Sequence, residues 1–155
     1  MSRELRILDF DLECLPGHWI GGDYVSKIIT AAAWSWVGEE HVDVITHYDE
    51  LDPVTVVAAK IREADIVTGH YIRGFDLPLL SGSLLRAGLP PLIDVTTCDT
   101  KLDLKKAHGR SKSQRNLASE LRIEAPKVDV TLSEWEAFNT RQPGAMDKGI
   151  ERVRG

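Results

Sequence analysis

The chain has 155 residues, enough for one domain over residues 1–155, and its composition, 43% hydrophobic and 28% charged, is that of an ordinary soluble globular protein. Its formal net charge of −5 argues against a general nucleic-acid coat protein. No apolar run approaches the ~20 residues of a membrane span, and the first residues lack the layout of a signal peptide. We therefore expect a cytoplasmic protein with no membrane partner. Cys14 and Cys98 are too few for a disulfide framework, and we expect both to be small buried residues.

Charge is distributed unevenly along the chain. Residues 101–122 contain seven basic and two acidic residues, so the net charge of this segment is +5. Because the formal net charge of the whole chain is −5, the remaining residues carry −10. The basic residues of the segment are Lys101, Lys105, Lys106, Arg110, Lys112, Arg115 and Arg122. Such a stretch on an acidic body suits local contact with a phosphate backbone. A solvated helix and loop is the alternative.

Hydrophobic periodicity and turn residues predict the elements in chain order. Residues 5–12 alternate as a strand, with Leu8 and Phe10 on one face and Asp9 and Asp11 on the other. A loop with two glycine-containing turns follows, and further strands are predicted over residues 27–37, 42–47, 64–69 and 92–98. Helices are predicted over residues 53–63, 76–87, 99–107, 113–121, 133–139 and 145–154, the first of them capped by Asp52.

The order of these elements predicts the topology. Three strands joined by tight turns should be antiparallel, whereas strands joined through helices should be parallel. The expected fold is therefore α/β, a mixed five-stranded sheet in the order 3-2-1-4-5, with strand 2 antiparallel and helices on its faces.

Acidic residues at the ends of two predicted strands form the candidate site. Asp11 and Glu13 are two apart in a strand and share a face with Asp9, while Asp76 follows the fourth strand, next to the first in the predicted sheet. Clustered carboxylates repel one another unless a proton or a cation lies between them, and Mg²⁺ or Mn²⁺ suits such oxygen ligands. A solvated acidic pair and a helix-capping role for Asp76 are the alternatives.

Two short motifs resemble those of a known superfamily. Residues 10–13, FDLE, resemble the first exonuclease motif of the family B DNA polymerases, and residues 75–78, FDLP, resemble their second. Both motifs belong to the DEDD superfamily of 3′–5′ exonucleases, whose fold is ribonuclease H-like. Leu117-Ala118 and Lys127 resemble the superfamily's later helix and the lysine after it, so the similarity extends over residues 5–129.

The resemblance implies hydrolysis with two divalent metal ions, Mg²⁺ or Mn²⁺. Asp11 would bridge both ions, Glu13 would bind the ion that activates water, and Asp76 would bind the other ion directly or through water. The superfamily also needs a Tyr or His followed four residues later by Asp on the last helix, and no Tyr or His occurs after His108. The chain is expected to end before that motif, which leaves Asp147 as the candidate fourth carboxylate or as an exposed helix residue.

Nucleic acid is the implied partner, and the residues expected to contact it are Trp19, His70, Phe75, Lys112 and Arg115. His70 replaces the Asn of the polymerase pattern and is either a hydrogen-bond donor to a terminal nucleotide or a structural histidine. Trp19 would stack on a base, and Asp99 is expected to cap a helix.

Three functions follow from the resemblance. The first is a 3′–5′ exonuclease on single-stranded DNA, or on RNA, in replication or repair in a bacterial or phage-infected cell. The second is an inactive relative that binds nucleic acid or a replication or repair protein. A ribonuclease H or resolvase-like endonuclease fits the motif contexts less well.

Overall fold

A computed structural model describes residues 3–15, 19–20, 23–24, 27–104, 111–123, 129–142 and 144–154. The strands are β1 (Ile7–Leu15), β2 (Trp19–Ile20), β3 (Asp23–Tyr24), β4 (Ile28–Trp36), β5 (Asp43–Thr46), β6 (Ile66–Gly69) and β7 (Thr97–Asp99). The helices are α1 (Pro53–Glu63), α2 (Asp76–Arg86), α3 (Gln114–Glu120), α4 (Leu132–Asn139) and α5 (Ala145–Arg154). No helix in these ranges is long and apolar enough to cross a membrane.

The main sheet has five strands in the order β5-β4-β1-β6-β7. β4 pairs antiparallel with β1 and with β5, whereas β6 pairs parallel with β1 and with β7. The crossovers to β6 and β7 contain α1 and α2, as parallel neighbours require. The predicted α/β fold class and strand order are confirmed.

β1 divides its residues between the two faces of the sheet, as its alternation predicts. Leu8, Phe10 and Leu12 are buried in the larger apolar cluster, with side chains from α1 and α2. On the opposite face, Asp11 is paired with Ala33 of β4 and Glu13 with Ala31. The two alanines belong to a second apolar cluster with residues of α4 and α5. Small side chains there let α5 approach the acidic face of β1.

Local signals set the ends of the helices that follow β5 and β6. Asp52 caps α1, because its carboxylate accepts the Thr55 N–H at 3.0 Å, and Pro53 occupies the first helical position. α2 gives way to Gly88, whose φ of +66° is the left-handed conformation that glycine adopts most easily. Both boundaries agree with the prediction.

Several predictions differ from the structure, and one of them is the end of the first strand, which continues to Leu15 instead of Leu12. Residues 100–104 form turns instead of the start of a helix over 99–107, and residues 105–110 lie outside the described ranges. β7 is shorter than the predicted strand, and the loop after β1 includes the β2–β3 pair. Cys98 is exposed and Cys14 is half-buried, so the expectation of two buried cysteines is wrong. Among the strands that the structure describes, β7 lies at the side of the sheet and pairs with β6 alone, which leaves Cys98 open to solvent.

Candidate functional site

The acidic face of β1 is the centre of the candidate site. Asp9, Asp11 and Glu13 occupy alternate positions, so their side chains leave the same face of the strand. Asp9 and Asp11 line a cavity of about 90 Å³ that Gln114 and Arg154 also line. Asp9 is exposed as a residue. Its pKa is nevertheless raised to about 6, first because nearby protein atoms partly desolvate its carboxylate and then because the charge of Asp11 repels it. The neutral form of Asp9 is therefore favoured more than that of an isolated aspartic acid.

Asp76 brings the second motif to the first. It is the first residue of α2 and only 2% exposed, and its Oδ1 accepts the backbone N–H of Leu12 at 3.1 Å. Leu12 lies between Asp11 and Glu13, and β6 pairs with β1 only as far as Asp9. The carboxylate of Asp76 therefore binds β1 beyond the point where β6 separates from it.

The structure corrects the capping alternative for Asp76. Phe75 is the N-cap residue of α2, and its side chain makes no capping hydrogen bond. The Oδ1 atom of Asp76, the first residue of the helix, is directed to β1, where it accepts the Leu12 N–H.

Asp99 holds the loop that leads to Asp76. It is fully buried, and its carboxylate accepts backbone N–H groups of Tyr71 at 3.1 Å and Arg73 at 2.9 Å. It also accepts those of Lys101 and Leu102, so it caps the turn after β7 as well. Burial alone would raise the pKa of Asp99, but these four amides outweigh it and hold the pKa below its ordinary value. Asp99 was expected to cap a helix, but the residues after it form turns, so its carboxylate caps that turn and also binds the loop before Asp76.

α5 contributes a cation to the acidic face. Arg152 Nε lies 3.7 Å from Glu13 Oε1, and the side chains are 26% and 16% exposed. Asp147, the candidate fourth carboxylate, is exposed in the first turn of α5. It precedes Arg152 by five residues, about 7.5 Å along the helix axis. Its metal-binding role stays a prediction.

The chemistry of the donors fits a hard divalent cation, because carboxylate oxygens are the ligands that Mg²⁺ and Mn²⁺ prefer. Across the described ranges, however, no three acidic, His or Cys side chains converge closely enough to hold a metal ion. Asp11, Glu13 and Asp76 therefore meet along one stretch of β1 without forming a closed set of ligands.

The predicted nucleic-acid contacts fall on several elements. His70 Nδ1 and Thr100 Oγ1 share a hydrogen bond at 3.1 Å, and the Phe75 ring lies beneath the Lys27 ammonium. Arg115 binds the carboxylate of Asp129. Lys112 is half-buried just before α3, and Trp19 belongs to β2 by its backbone, while its side chain lies outside the described part. These roles stay predictions.

Sequence reasoning missed Arg152, Lys27 and the loop-holding role of Asp99. Arg152 reaches Glu13 only because α5 packs over β1, which no local pattern encodes. The isolated acidic residue after the last strand was a signal for Asp99, since the ends of parallel strands meet at one edge of a sheet.

The chain matches no protein-family model, and no curated protein matches it in sequence. Among solved structures it is similar to the family B DNA polymerase from the hyperthermophilic archaeon Pyrobaculum calidifontis, with a TM-score of 0.72 and 16% sequence identity. The similarity covers 97% of this chain and 23% of the polymerase chain, so the chain spans about a quarter of that protein's length. At this identity the comparison establishes the fold alone.

Proposed function

We propose that this domain removes nucleotides from the 3′ end of single-stranded DNA in a reaction that needs divalent cations. The observation that carries the proposal is the hydrogen bond from the Leu12 N–H to Asp76 Oδ1 at 3.1 Å. It joins the acidic residue of the second motif to the strand that bears Asp11 and Glu13, as the resemblance to the DEDD exonucleases requires. A fold shared with a DNA polymerase supports action on nucleic acid.

Asp11, Glu13 and Asp76 would hold the cations, with Asp147 as the candidate fourth carboxylate. When bound, the cations activate water and neutralise charge that develops on the phosphate. The chain's own residues orient the donors. The Leu12 amide fixes Asp76, and Arg152 constrains Glu13 and supplies positive charge beside it.

The test is degradation of a 5′-labelled single-stranded oligonucleotide in the presence of Mn²⁺ or Mg²⁺. Asp11→Ala and Asp76→Asn should each lower the rate about a hundredfold or more, because even outer-shell partners of metal ligands cost up to that factor. Glu39→Gln, at an exposed position in the turn after β4, is the matched control and should leave the rate unchanged. Asp147→Asn tests the fourth carboxylate, and matched DNA and RNA oligonucleotides identify the substrate.

A second candidate function is binding of nucleic acid, or of a replication or repair protein, without hydrolysis. The ion pair of Arg152 with Glu13 favours it, because a guanidinium already compensates one of the carboxylates. In the same assay, a parent protein that binds the oligonucleotide but degrades it no faster than Asp11→Ala would refute the exonuclease proposal and support this one.

A further inference from the structure

Two lysines lie on aromatic rings of the loop that leads into Asp76. Lys27 Nζ is 4.7 Å from the centroid of the Phe75 ring, and Lys101 Nζ is 4.0 Å from that of the Tyr71 ring. Both distances are within the ~6 Å of a cation–π interaction. Both rings belong to the short loop between β6 and α2, so both ammonium groups lie on the segment that positions Asp76.

The two lysines approach this loop from opposite sides of β1. Lys27 immediately precedes β4, and Lys101 follows β7 closely. β4 is antiparallel to β1 and β7 is parallel to it, so the start of β4 and the end of β7 lie at the same edge of the sheet as the carboxyl end of β1. β4 and β7 are three strand spacings apart, about 14 Å.

The charge of these lysines is available to a ligand. Among the residues that the structure describes, neither lysine forms an ion pair with a carboxylate. Arg6, which also lies over an aromatic ring, that of Trp36, is by contrast 3.4 Å from a Glu63 carboxylate oxygen. An aromatic ring attracts an ammonium group and orients it without neutralising it.

The loop beneath the lysines is held in a strained conformation. Tyr71 has a φ of +68°, which is uncommon for a residue with a side chain and persists where the surroundings enforce it. The enforcing contacts are the hydrogen bond from the Tyr71 N–H to Asp99 and the packing of the Tyr71 ring on Gly74. A Cβ at Gly74 would lie 2.2 Å from Tyr71 Cε2, so the ring fits only against glycine. Lys101 therefore lies on a fixed surface.

We propose that Lys27 and Lys101 bind phosphates of one single-stranded nucleic acid and so align its backbone with the edge that carries Asp11 and Asp76. The proposal rests on the proposed function, because the carboxylates at this edge are where that strand would react. A run of a few nucleotides covers the distance between β4 and β7. Lysines interleaved with aromatic rings are also the make-up of surfaces that bind single strands without reading their sequence.

The experiment measures binding of a fluorescent oligothymidylate by anisotropy, in EDTA so that no hydrolysis occurs, as salt is raised from about 50 to about 200 mM. Lys27→Gln and Lys101→Gln should each weaken binding and lower the slope of log K against log salt by about 0.7, because each removes one phosphate contact. The ratio of parent to variant affinity should be about threefold larger at 50 mM salt than at 200 mM salt. Lys27→Arg and Lys101→Arg keep the charge and should keep the slope.

Lys60→Gln is the matched control. Lys60 lies in the last turn of α1, near the start of β6, and therefore at the end of the strands opposite to Asp11 and Asp76. Its Nζ is 3.7 Å from a Glu63 carboxylate oxygen. Equal affinity and equal slope for the parent, Lys60→Gln and both lysine-to-glutamine variants would overturn the proposal. Because the readout contains no hydrolysis, an inert parent protein whose lysine variants bind less well would refute the exonuclease proposal and leave this one standing.

Discussion

Asp9 and Asp99 are carboxylates whose pKa values shift in opposite directions. Four backbone amides surround Asp99 and hold its pKa low, so its charge serves the structure of the loop before Asp76. Asp9 lines a cavity with Asp11, and its pKa is raised to about 6 by desolvation and by the charge of Asp11. At neutral pH the charge of Asp9 thus opposes folding.

Asp9→Asn is expected to stabilise the protein at neutral pH. In the folded state the pKa of Asp9 is about 6, above its ordinary value of 3.8, so between these two pH values the folded chain binds more protons than the unfolded chain. Stability is therefore lost as pH rises through this window. Asn carries no charge and avoids the loss. Thermal unfolding at pH 7.5 should give a slightly higher Tm for the variant, since solvent screens the charge of the exposed Asp9, and the difference should shrink towards pH 4.

The favourable charge of Arg154, which lines the same cavity, is present at both pH values and does not change this sign. Glu39→Gln serves as the control for removal of an exposed carboxylate and should leave the Tm nearly constant. An Asp9→Asn protein that melts at or below the parent temperature at pH 7.5 would contradict the argument.

At the scale of elements, the pair α4–α5 decides what lies over the acidic face of β1. Phe138 of α4 is fully buried against Gly149 of α5, where a Cβ would lie 2.2 Å from its Cδ2 atom. The Tyr48 hydroxyl donates to the Phe138 carbonyl oxygen at 2.8 Å, which ties α4 to the segment after β5. This packing places the last turn of α5, with Arg152, beside Glu13.

Gly149→Ala should lower the free energy of unfolding by about 1–3 kcal/mol, the usual cost of overpacking a well-packed core. Gly82→Ala is the matched control within α2, because a Cβ there meets no atom within 4 Å. That control should raise the free energy of unfolding by about 0.5–1 kcal/mol, since glycine is costly inside a helix. Urea denaturation measures both. Equal stability of the two variants would show that Phe138 yields to the added methyl group.

At the scale of the molecule, the sheet separates two apolar clusters of unequal size. The larger one contains side chains of β1, α1 and α2, and the smaller one joins two alanines of β4 to Phe138 and Val153. α3 has no buried residue, so it contributes no buried side chain to either cluster. The hydroxyl of its N-cap residue, Ser113, accepts the Asn116 N–H at 3.3 Å, and this hydrogen bond is local to the helix.

Stability should therefore differ between α3 and the centre of the sheet. Amide hydrogen exchange followed by mass spectrometry is expected to show early exchange in α3 through local opening, because few apolar contacts oppose it. Amides of β1 and β4 should exchange last, near the free energy of global unfolding. α1, a helix with five buried residues, should resemble the strands and serves as the internal control. Equal protection of α3 and β1 would refute this expectation.

The sequence by itself determined the five strands of the main sheet, their order and most of the helices. The alternation in β1 separated Leu8 and Phe10 from Asp9 and Asp11, Asp52-Pro53 marked the start of α1, and short turns or helical crossovers set the strand directions. These signals act over a few residues, where periodicity and capping chemistry dominate. The carboxylates of β1 and the second acidic motif could be identified from such patterns as well.

Only the tertiary structure decided how those carboxylates are surrounded. Asp76 begins a helix as expected, yet its carboxylate binds the Leu12 amide because β6 leaves β1 just before that point. Arg152 reaches Glu13, and Asp99 holds the loop before Asp76, through the packing of elements distant in sequence. Such contacts depend on how whole elements fit together, and a pattern read within one strand or one helix carries no information about that fit.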